Sequence, residues 1–321
     1  MTFWQYRNVL VTGATGFVGS YLTGQLLDAG ASVTTIIRDW RPDSLLINGE
    51  DFEHINIVKG DLEDRDLVER VLAEYEIDSV FHLAAQTVVT IANKVPYPTI
   101  KSNILTTLNV LEAVRQNGHI RHTVIASSDK AYGELSEHKM YREDDPLNGL
   151  HPYDCSKSCT DMLAQTYINT YKLPIAITRC GNIYGGGDVN WSRLIPNTIR
   201  RILSGKLPEI WGTGEETRDY FYVYDCARAY MLLSQKEAHG AYNFSTGEEL
   251  TVRRVIDYIC NELKVPLQYD TLNHTEGQIS YQWLDSSKAR RNLGWLPEYE
   301  FDKGIKDTVR WYKDYLIGDR P

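Results

Sequence analysis

A tyrosine and a lysine four residues apart, Tyr153 and Lys157, have the types and spacing that suit proton-transfer chemistry. A helix is predicted to start near Pro152, and residues four apart on a helix lie on one face. A lysine ammonium beside a phenol favours the phenolate and lowers the pKa of the phenol, which gives a usable base near neutral pH. Ser128, at the end of a predicted strand, is placed to donate a hydrogen bond to a substrate oxygen. These residues predict a catalytic site built around Tyr153.

The segment from Thr12 to Gly19 reads Thr-Gly-Ala-Thr-Gly-Phe-Val-Gly. It follows a predicted strand and opens a predicted helix near Phe17. Glycines at such a turn let the backbone approach a pyrophosphate, and the amides at the helix N-terminus meet its negative charge. A glycine triplet alone is compatible with a merely structural turn, but this one starts a long β-α-β series and so predicts dinucleotide binding. The predicted pyrophosphate-binding residues are Gly13, Thr15, Gly16, Phe17, Val18 and Gly19.

Arg38 and Asp39 end the second predicted strand and point to different cofactors. An acidic residue at this place binds the adenosine ribose of NAD, whereas an arginine accepts the 2′-phosphate of NADP. We expect NAD and leave NADP open. Asp61, after the third strand, is predicted to reach the adenine amino group, the alternative being a cap of its own loop. The other residues predicted to lie against the cofactor are Leu62, Leu83, Ala84 and Ala85.

The elements that must position these residues alternate along the chain. Up to about residue 180, short β-branched runs alternate with stretches of helical period, which indicates β-α-β units. We therefore predict an α/β fold, a doubly wound parallel Rossmann sheet with a smaller C-terminal substrate lobe. The predicted strands are 8–12, 32–37, 54–58, 79–82, 122–127 and 174–179, with later strand-like runs at 219–223 and 240–245. The predicted domains are 1–181 with about 219–246 for the dinucleotide, and 182–218 with 247–321 for the substrate.

The composition narrows the class of protein. The 321 residues are 42% hydrophobic and 24% charged, as in an ordinary globular protein, and the formal net charge is −9. Because no run of Lys and Arg could follow a phosphate backbone, we expect no nucleic-acid partner. No long hydrophobic stretch opens the chain, so we expect neither secretion nor membrane association. Five cysteines without metal-finger spacing favour reduced thiols in the cytoplasm and no metal site.

Together the motifs resemble the extended short-chain dehydrogenases/reductases that act on nucleotide sugars, the NAD-dependent epimerase/dehydratase family. The resemblance spans essentially the whole chain. It is carried by Thr12 to Gly19, Asp61, 82–85, Asn103, Ser128, Tyr153, Lys157, Gly181-Asn182, Arg218-Asp219 and 284–295. It implies that Asn103, Tyr153 and Lys157 contact the cofactor. It also implies a pocket for a nucleotide-diphosphate sugar, lined by Gln86, Asn182, Arg193 and Arg218.

The pair that follows Ser128 separates the branches of this family. Sugar 4-epimerases usually carry residues there that cannot transfer protons, whereas the branch resembling CDP-glucose 4,6-dehydratase carries Asp-Lys, as Asp129-Lys130 does here. The resemblance implies a dehydratase in which loss of hydride from C4 makes the C5 proton acidic. Lys130, with its pKa depressed by burial and by Lys157, would take that proton, and Asp129 would protonate the departing C6 oxygen.

Two other interpretations stay open. A nucleotide-sugar 4-epimerase or 4-ketosugar reductase would use the same Tyr153 and Lys157 and leave Asp129 and Lys130 as a turn cap and a surface ion pair. A protein of another class would sense the dinucleotide without catalysis.

Relatives of this kind pair through two long helices each, so the resemblance implies a homodimer with a four-helix interface. The corresponding predicted helices are 99–117 and 153–171. The apolar residues expected to face outward from them are Leu105, Leu108, Met162 and Tyr167.

Overall fold

A seven-stranded parallel sheet forms the centre of the fold. The computed structural model describes residues 2–134, 139–272 and 281–318. The strands are Asn8–Thr12 (β1), Ser32–Ile37 (β2), Asn56–Lys59 (β3), Ser79–His82 (β4), His122–Ala126 (β5), Ile175–Cys180 (β6), Asn182–Tyr184 (β7), Glu209–Ile210 (β8), Thr217–Arg218 (β9), Tyr220–Tyr222 (β10), Gly240–Phe244 (β11), Leu250–Thr251 (β12), Asp270–Thr271 (β13) and Tyr281–Gln282 (β14).

Helices connect most of these strands. They are Phe17–Asp28 (α1), Leu45–Asn48 (α2), Arg65–Glu74 (α3), Val89–Lys94 (α4), Pro96–Asn117 (α5), Pro152–Tyr171 (α6), Leu194–Leu203 (α7), Val223–Gln235 (α8), Val252–Leu263 (α9), Ser287–Leu293 (α10) and Phe301–Ile317 (α11). No helix in the described ranges is long and apolar enough to cross a bilayer.

The strand order in the main sheet is β11-β6-β5-β4-β1-β2-β3, and every pair is parallel. Both faces are buried, as strand β1 illustrates: Val9 and Val11 belong to one hydrophobic cluster, and Leu10, between them, belongs to another. Continuous apolar strands of this kind are typical of parallel sheets covered by helices. The predicted doubly wound fold is confirmed, and all six predicted strands are present.

Two strand predictions need correction. The third strand begins at Asn56 rather than at residue 54, because His54 still belongs to a 3₁₀ turn that starts at Glu50. The run predicted at 219–223 forms β10, which pairs with β7 in a separate two-stranded sheet. In contrast, β11 does join the edge of the main sheet, beside β6.

Another hydrophobic cluster, of mixed aromatic and aliphatic side chains, lies in the C-terminal part of the chain, where α7, α9 and α11 pack around β7 and β10. Here Tyr184 packs against Tyr222 and Phe301. Close by, β9 lies between β12 and β14 in a small three-stranded sheet. The predicted substrate lobe includes these elements apart from β10, which the prediction assigned to the dinucleotide domain, and the boundaries of both domains stay predictions.

The two long helices α5 and α6 pack against each other and match the predicted pair. Met162 is 58% exposed, as expected, and Leu105 and Leu108 are half-buried. The expectation that Tyr167 faces outward is wrong. Its ring is buried and its hydroxyl donates a hydrogen bond to Glu112 on α5, so it holds the two helices of one chain together.

Candidate active site

A cleft of about 1050 Å³ opens at the carboxyl ends of the main-sheet strands. Strands β1, β2 and β3 follow one another toward one edge of the sheet, and β4 then lies on the other side of β1. A crevice therefore forms between the ends of β1 and β4, where doubly wound folds bind ligands. The predicted site residues that line it are Gly13, Thr15, Gly16, Phe17, Val18, Gly19, Arg38, Asp39, Asp61, Leu62, Leu83, Ala84, Ala85, Gln86, Ser128, Asp129, Lys130, Tyr153, Lys157, Asn182, Arg193 and Arg218.

The glycine turn is shaped by close approach of backbones. Gly13 has φ of +73°, and a Cβ added there would lie 2.8 Å from the backbone nitrogen of Ala84. A Cβ on Gly19 would collide with the carbonyl oxygen of Gly13. The N-terminus of α1 lines the cleft, and its N-cap residue, Gly16, has no side chain to bond the first amides of the helix. The turn therefore offers the cradle that a pyrophosphate requires.

Thr12 fastens the end of β1 to the segment after β4. Its hydroxyl oxygen accepts hydrogen bonds of 3.2 Å from the backbone N–H groups of Leu83 and Ala84. It also hydrogen-bonds His82, whose other ring nitrogen contacts Thr107. Burial lowers the pKa of His82 to about 3, so this imidazole is a neutral structural bridge.

Arg38, Asp39 and Asp61 form a small charged group at the far end of the cleft. The Nε atom of Arg38 lies 2.7 Å from a carboxylate oxygen of Asp39, and its Nη1 lies 3.6 Å from Asp61. The hydrogen bond with Asp39 raises the pKa of Arg38. Asp61 also accepts a hydrogen bond from the backbone N–H of Glu63, so the alternative role of loop cap is present in the structure.

Helix α6 carries Tyr153 and Lys157 on the face that meets the cleft. The Lys157 ammonium donates a hydrogen bond of 2.7 Å to the backbone oxygen of Ala126, at the end of β5. Burial raises the pKa of Tyr153 to about 12, while Arg193 and a hydrogen bond with Ser128 oppose that rise. The prediction that Lys157 lowers the pKa of Tyr153 is not met. Desolvation of the phenol dominates, and the lysine is bonded to Ala126.

Asp129 begins a 3₁₀ turn directly after β5, and its side chain is only 3% exposed. The Ser128 hydroxyl donates a hydrogen bond of 3.0 Å to one carboxylate oxygen of Asp129. The other oxygen, Oδ2, is buried without a hydrogen-bond partner among the described residues. Ser128 also accepts the backbone N–H of Lys130, so the serine caps this turn. A surface ion pair is therefore not what Asp129 and Lys130 form.

Lys130 reaches into the cleft beside Asp129 and donates a hydrogen bond to the side-chain oxygen of Gln282. Burial lowers the pKa of Lys130, the positive charge of Arg218 lowers it further, and Asp129 and Asp154 oppose the change. The predicted depression is thus present, but its electrostatic neighbour is Arg218 rather than Lys157.

The four residues predicted to bind substrate all line the cleft. Arg193 pairs with Asp188 at 2.9 Å. Arg218 donates to the backbone oxygen of Thr217. Asn182, the third of them, lies at the start of β7. Their predicted contacts with substrate stay predictions.

The fourth, Gln86, and the cofactor candidate Asn103 are engaged with the protein itself. The carboxamide oxygen of Gln86 accepts a hydrogen bond from the backbone N–H of Val88. Asn103 is buried and does not line the cleft. Its side-chain oxygen accepts a hydrogen bond from the backbone N–H of Gln86. Its side-chain nitrogen donates to the backbone oxygen of Gln86 and to the Ser156 hydroxyl. Asn103 therefore holds the segment after β4 against α6, and its predicted contact with the cofactor stays a prediction.

Sequence reasoning missed two residues that line the cleft and one that lies behind it. Gln282, in β14, does not line the cleft but bonds Lys130 from 152 positions away, and a lone glutamine in a short strand gives no signal. Trp191 and Trp211 do line the cleft, and the glycines near them, at 185–187 and at 212 and 214, were the signal available. Within the described ranges, no group of three or more His, Cys, Asp or Glu side chains is placed to hold a metal ion.

Comparison with known proteins supports the resemblance drawn from the motifs. The family described as GDP-mannose 4,6 dehydratase matches residues 10–308. A CDP-glucose 4,6-dehydratase of Salmonella typhimurium is 30% identical, with 99% of this chain and 93% of the relative covered. The dTDP-glucose 4,6-dehydratase of Bacillus anthracis, solved in complex with NAD, superposes with a TM-score of 0.86 at 29% identity, covering 97% of this chain and 98% of that one.

A UDP-glucose 4-epimerase of Thermotoga maritima, solved with UDP-glucose, superposes with a TM-score of 0.89 at 28% identity, covering 96% of this chain and 99% of that one. The fold is thus shared by dehydratases and epimerases, and the family match extends over most of the chain. The chain belongs to the GDP-mannose 4,6-dehydratase family of extended short-chain dehydrogenases/reductases.

Proposed function

We propose that the chain is a nucleotide-sugar 4,6-dehydratase, which converts a nucleotide-diphosphate hexose to its 4-keto-6-deoxy product. The observation that carries this proposal is that buried Asp129 and half-buried Lys130 both line the cleft that holds Tyr153. A carboxyl group and an amine of lowered pKa are the acid and base that elimination of water requires. Epimerisation at C4 releases no water, so an epimerase does not require this acid or this base.

NAD is the cofactor that the site suits. The glycine cradle at Gly13 and Gly19 leaves the space that a pyrophosphate fills. Arg38 is held by two carboxylates, which favours a ribose diol over a 2′-phosphate and leaves NADP as the alternative. When bound, NAD accepts a hydride from C4 and gives it back at C6, so no external reductant is consumed.

The chain's own residues move the protons. Tyr153 takes the proton of the C4 hydroxyl while Ser128 hydrogen-bonds the same oxygen. This step requires the phenolate, whose formation burial opposes and Arg193 and the Ser128 hydrogen bond favour. Lys130, as a neutral amine, then removes the proton from C5, which the new C4 ketone makes acidic. Asp129 gives a proton to the C6 oxygen as the C6–O bond breaks and water leaves. When C6 has received the hydride, the Lys130 ammonium returns its proton to C5, which completes the product. Lys157 keeps Tyr153 in place through its bond to Ala126.

Arg193 and Arg218 are the side chains that suit the diphosphate, because guanidinium groups match phosphate oxygens in geometry and charge. Both line the cleft on the side of the predicted substrate lobe. We further propose a cytoplasmic homodimer that pairs through α5 and α6, where Met162 is exposed. The five cysteines, all free, fit a reducing compartment.

The test is to incubate the purified protein and NAD with CDP-, UDP-, GDP- and dTDP-hexoses and to follow the mass of each sugar. Loss of one water from one of them establishes elimination and identifies the base. An unchanged mass with altered sugar stereochemistry makes the protein an epimerase. No turnover with any of them favours a sensor of the dinucleotide.

Two variants assign the elimination to the proposed pair. Asp129→Asn and Lys130→Met should each lose water release, while Lys236→Met, an exposed lysine at the end of α8, serves as the matched control. If Asp129→Asn and Lys130→Met both keep full activity, the dehydratase proposal fails.

A further inference from the structure

Gln282 joins both members of the proposed acid–base pair. It lies in β14 and is fully buried. Its side-chain oxygen accepts a hydrogen bond from the Nζ atom of Lys130, and its side-chain nitrogen donates one of 3.2 Å to the backbone oxygen of Asp129. A lysine ammonium only donates and a backbone carbonyl only accepts, so these two partners fix which end of the carboxamide faces which.

The strand that carries Gln282 belongs to the C-terminal part of the chain. It pairs in parallel with β9, where Gln282 is in register with Arg218. The backbone oxygen of Gln282 also accepts a hydrogen bond from the N–H of Asp219, 3.2 Å away. Gln282 is therefore held by backbone bonds beside Arg218 and Asp219, while its side chain bonds the residues that follow β5.

We propose that Gln282 is a positioning residue that sets where the Lys130 amine points. This inference rests on the proposed function, because it acts through the C5 deprotonation assigned to Lys130. The motifs that carry the resemblance to the family do not include this position.

A carboxamide suits the task better than a carboxylate would. The groups whose charges act on Lys130 are Asp129, Asp154 and Arg218. A third carboxylate at position 282 would stabilise the ammonium and hold the lysine protonated. A neutral amide oxygen orients the amine and has a smaller effect on the protonation of Lys130. An apolar side chain would leave both Lys130 and the Asp129 carbonyl without this partner.

The first test does not depend on turnover. The Lys130 peptide is followed by mass spectrometry during brief acetylation of the folded protein at a series of pH values, since only the neutral amine reacts. Gln282→Glu should raise the midpoint of reactivity by about 1 pH unit or more, as expected for a new neighbouring carboxylate. Gln282→Met should lower it. Tyr281→Phe, on the exposed neighbour in the same strand, should leave it unchanged.

The second test separates chemical steps in a single turnover with the hexose nucleotide that wild-type protein dehydrates. Gln282→Met should slow exchange of the C5 hydrogen with D₂O by about 10- to 100-fold, the usual effect of losing a hydrogen bond to a charged group. Appearance of reduced nicotinamide, which reports C4 oxidation by Tyr153, should stay within about threefold, and this also shows that the variant is folded.

Each outcome has one meaning. Unchanged acetylation midpoints in both Gln282 variants overturn the inference, whatever the enzyme does. Shifted midpoints together with slow C5 exchange support it. If C4 oxidation and C5 exchange fall equally in a folded Gln282→Met protein, Gln282 supports the whole site and the positioning role is wrong. If the wild-type protein releases no water from any hexose nucleotide, the proposed function fails, while the acetylation test still decides whether Gln282 controls Lys130.

Discussion

The Nζ atom of Lys157 lies 2.7 Å from the backbone oxygen of Ala126, so this lysine fastens the catalytic helix α6 to the end of β5. Ser128 follows Ala126 by two residues, and Tyr153 precedes Lys157 by one helical turn. This hydrogen bond thus supports the position of the phenol beside Ser128, with which Tyr153 itself forms a hydrogen bond. Burial lowers the pKa of Lys157 to about 8, although the charge of Asp161 opposes the change.

Lys157→Met should lower kcat/KM by at least about 100-fold, because Tyr153 loses its placement. It should also change how stability depends on pH. The pKa of Lys157 is about 8 in the folded protein and 10.5 in the unfolded chain, so between these pH values the unfolded chain binds more protons. Wild-type protein therefore gains stability, about 3 kcal/mol, as pH rises through that window.

The measurement is urea unfolding of both proteins from neutral pH to about pH 10.5. Other groups titrate alike in the two, so the difference in free energy of unfolding isolates Lys157. The free energy of unfolding of the variant, taken relative to that of wild type, should be highest below about pH 8 and should fall as pH rises above it. A difference that does not change with pH would show that the lysine is not desolvated.

The features that could be predicted well from the sequence are those set by a short stretch of chain. The apolar strands and the turn from Thr12 to Gly19 depend on neighbouring residues, so their place in the fold could be predicted. Gln282 and Asn103 act through contacts with residues far away in the chain, and their partners follow only from the folded backbone. The direction of the Tyr153 pKa also needed the structure, because burial outweighs the neighbouring lysine.

Gly13→Ala should destabilise the protein and weaken NAD binding together. Gly13 has φ of +73°, and its added Cβ would meet the backbone of Ala84. Gly118→Ala is the matched control, since Gly118 has a similar φ of +68° with open space around it. The control should lose about 1 kcal/mol of unfolding free energy from backbone strain alone. Gly13→Ala should lose more, and calorimetry should find its NAD affinity reduced. Equal losses in the two variants would contradict the close-approach argument.

Asp39→Ala should shift cofactor preference toward NADP. The Arg38 guanidinium is drawn to Asp39 at 2.7 Å, and removal of that carboxylate leaves it better able to pair with a 2′-phosphate. The ratio of Kd for NADP to Kd for NAD should fall by about 10-fold, roughly the effect of one charge-assisted hydrogen bond. Arg41→Ala, which removes a nearby exposed arginine that also lines the cleft, tests whether any change of charge has the same effect. An unchanged ratio in Asp39→Ala would show that Arg38 takes no part in the choice.

Asp161→Asn should destabilise the fold far more than the loss of a surface ion pair does. Arg179 on β6 and Asp161 on α6 are both buried and form two parallel hydrogen bonds of 2.8 and 2.9 Å. Replacing the carboxylate leaves a buried guanidinium without its counter-charge, which costs about 3–5 kcal/mol. Arg179 also donates to the hydroxyl of Tyr132, in the turn that begins with Asp129, so the damage should extend to the catalytic turn.

The control is Asp302→Asn, in an exposed pair with Lys306, which should leave the urea midpoint of unfolding unchanged. If Asp161→Asn unfolds at the same urea concentration as that control, the buried pair contributes nothing to stability, and water must reach Arg179 in solution.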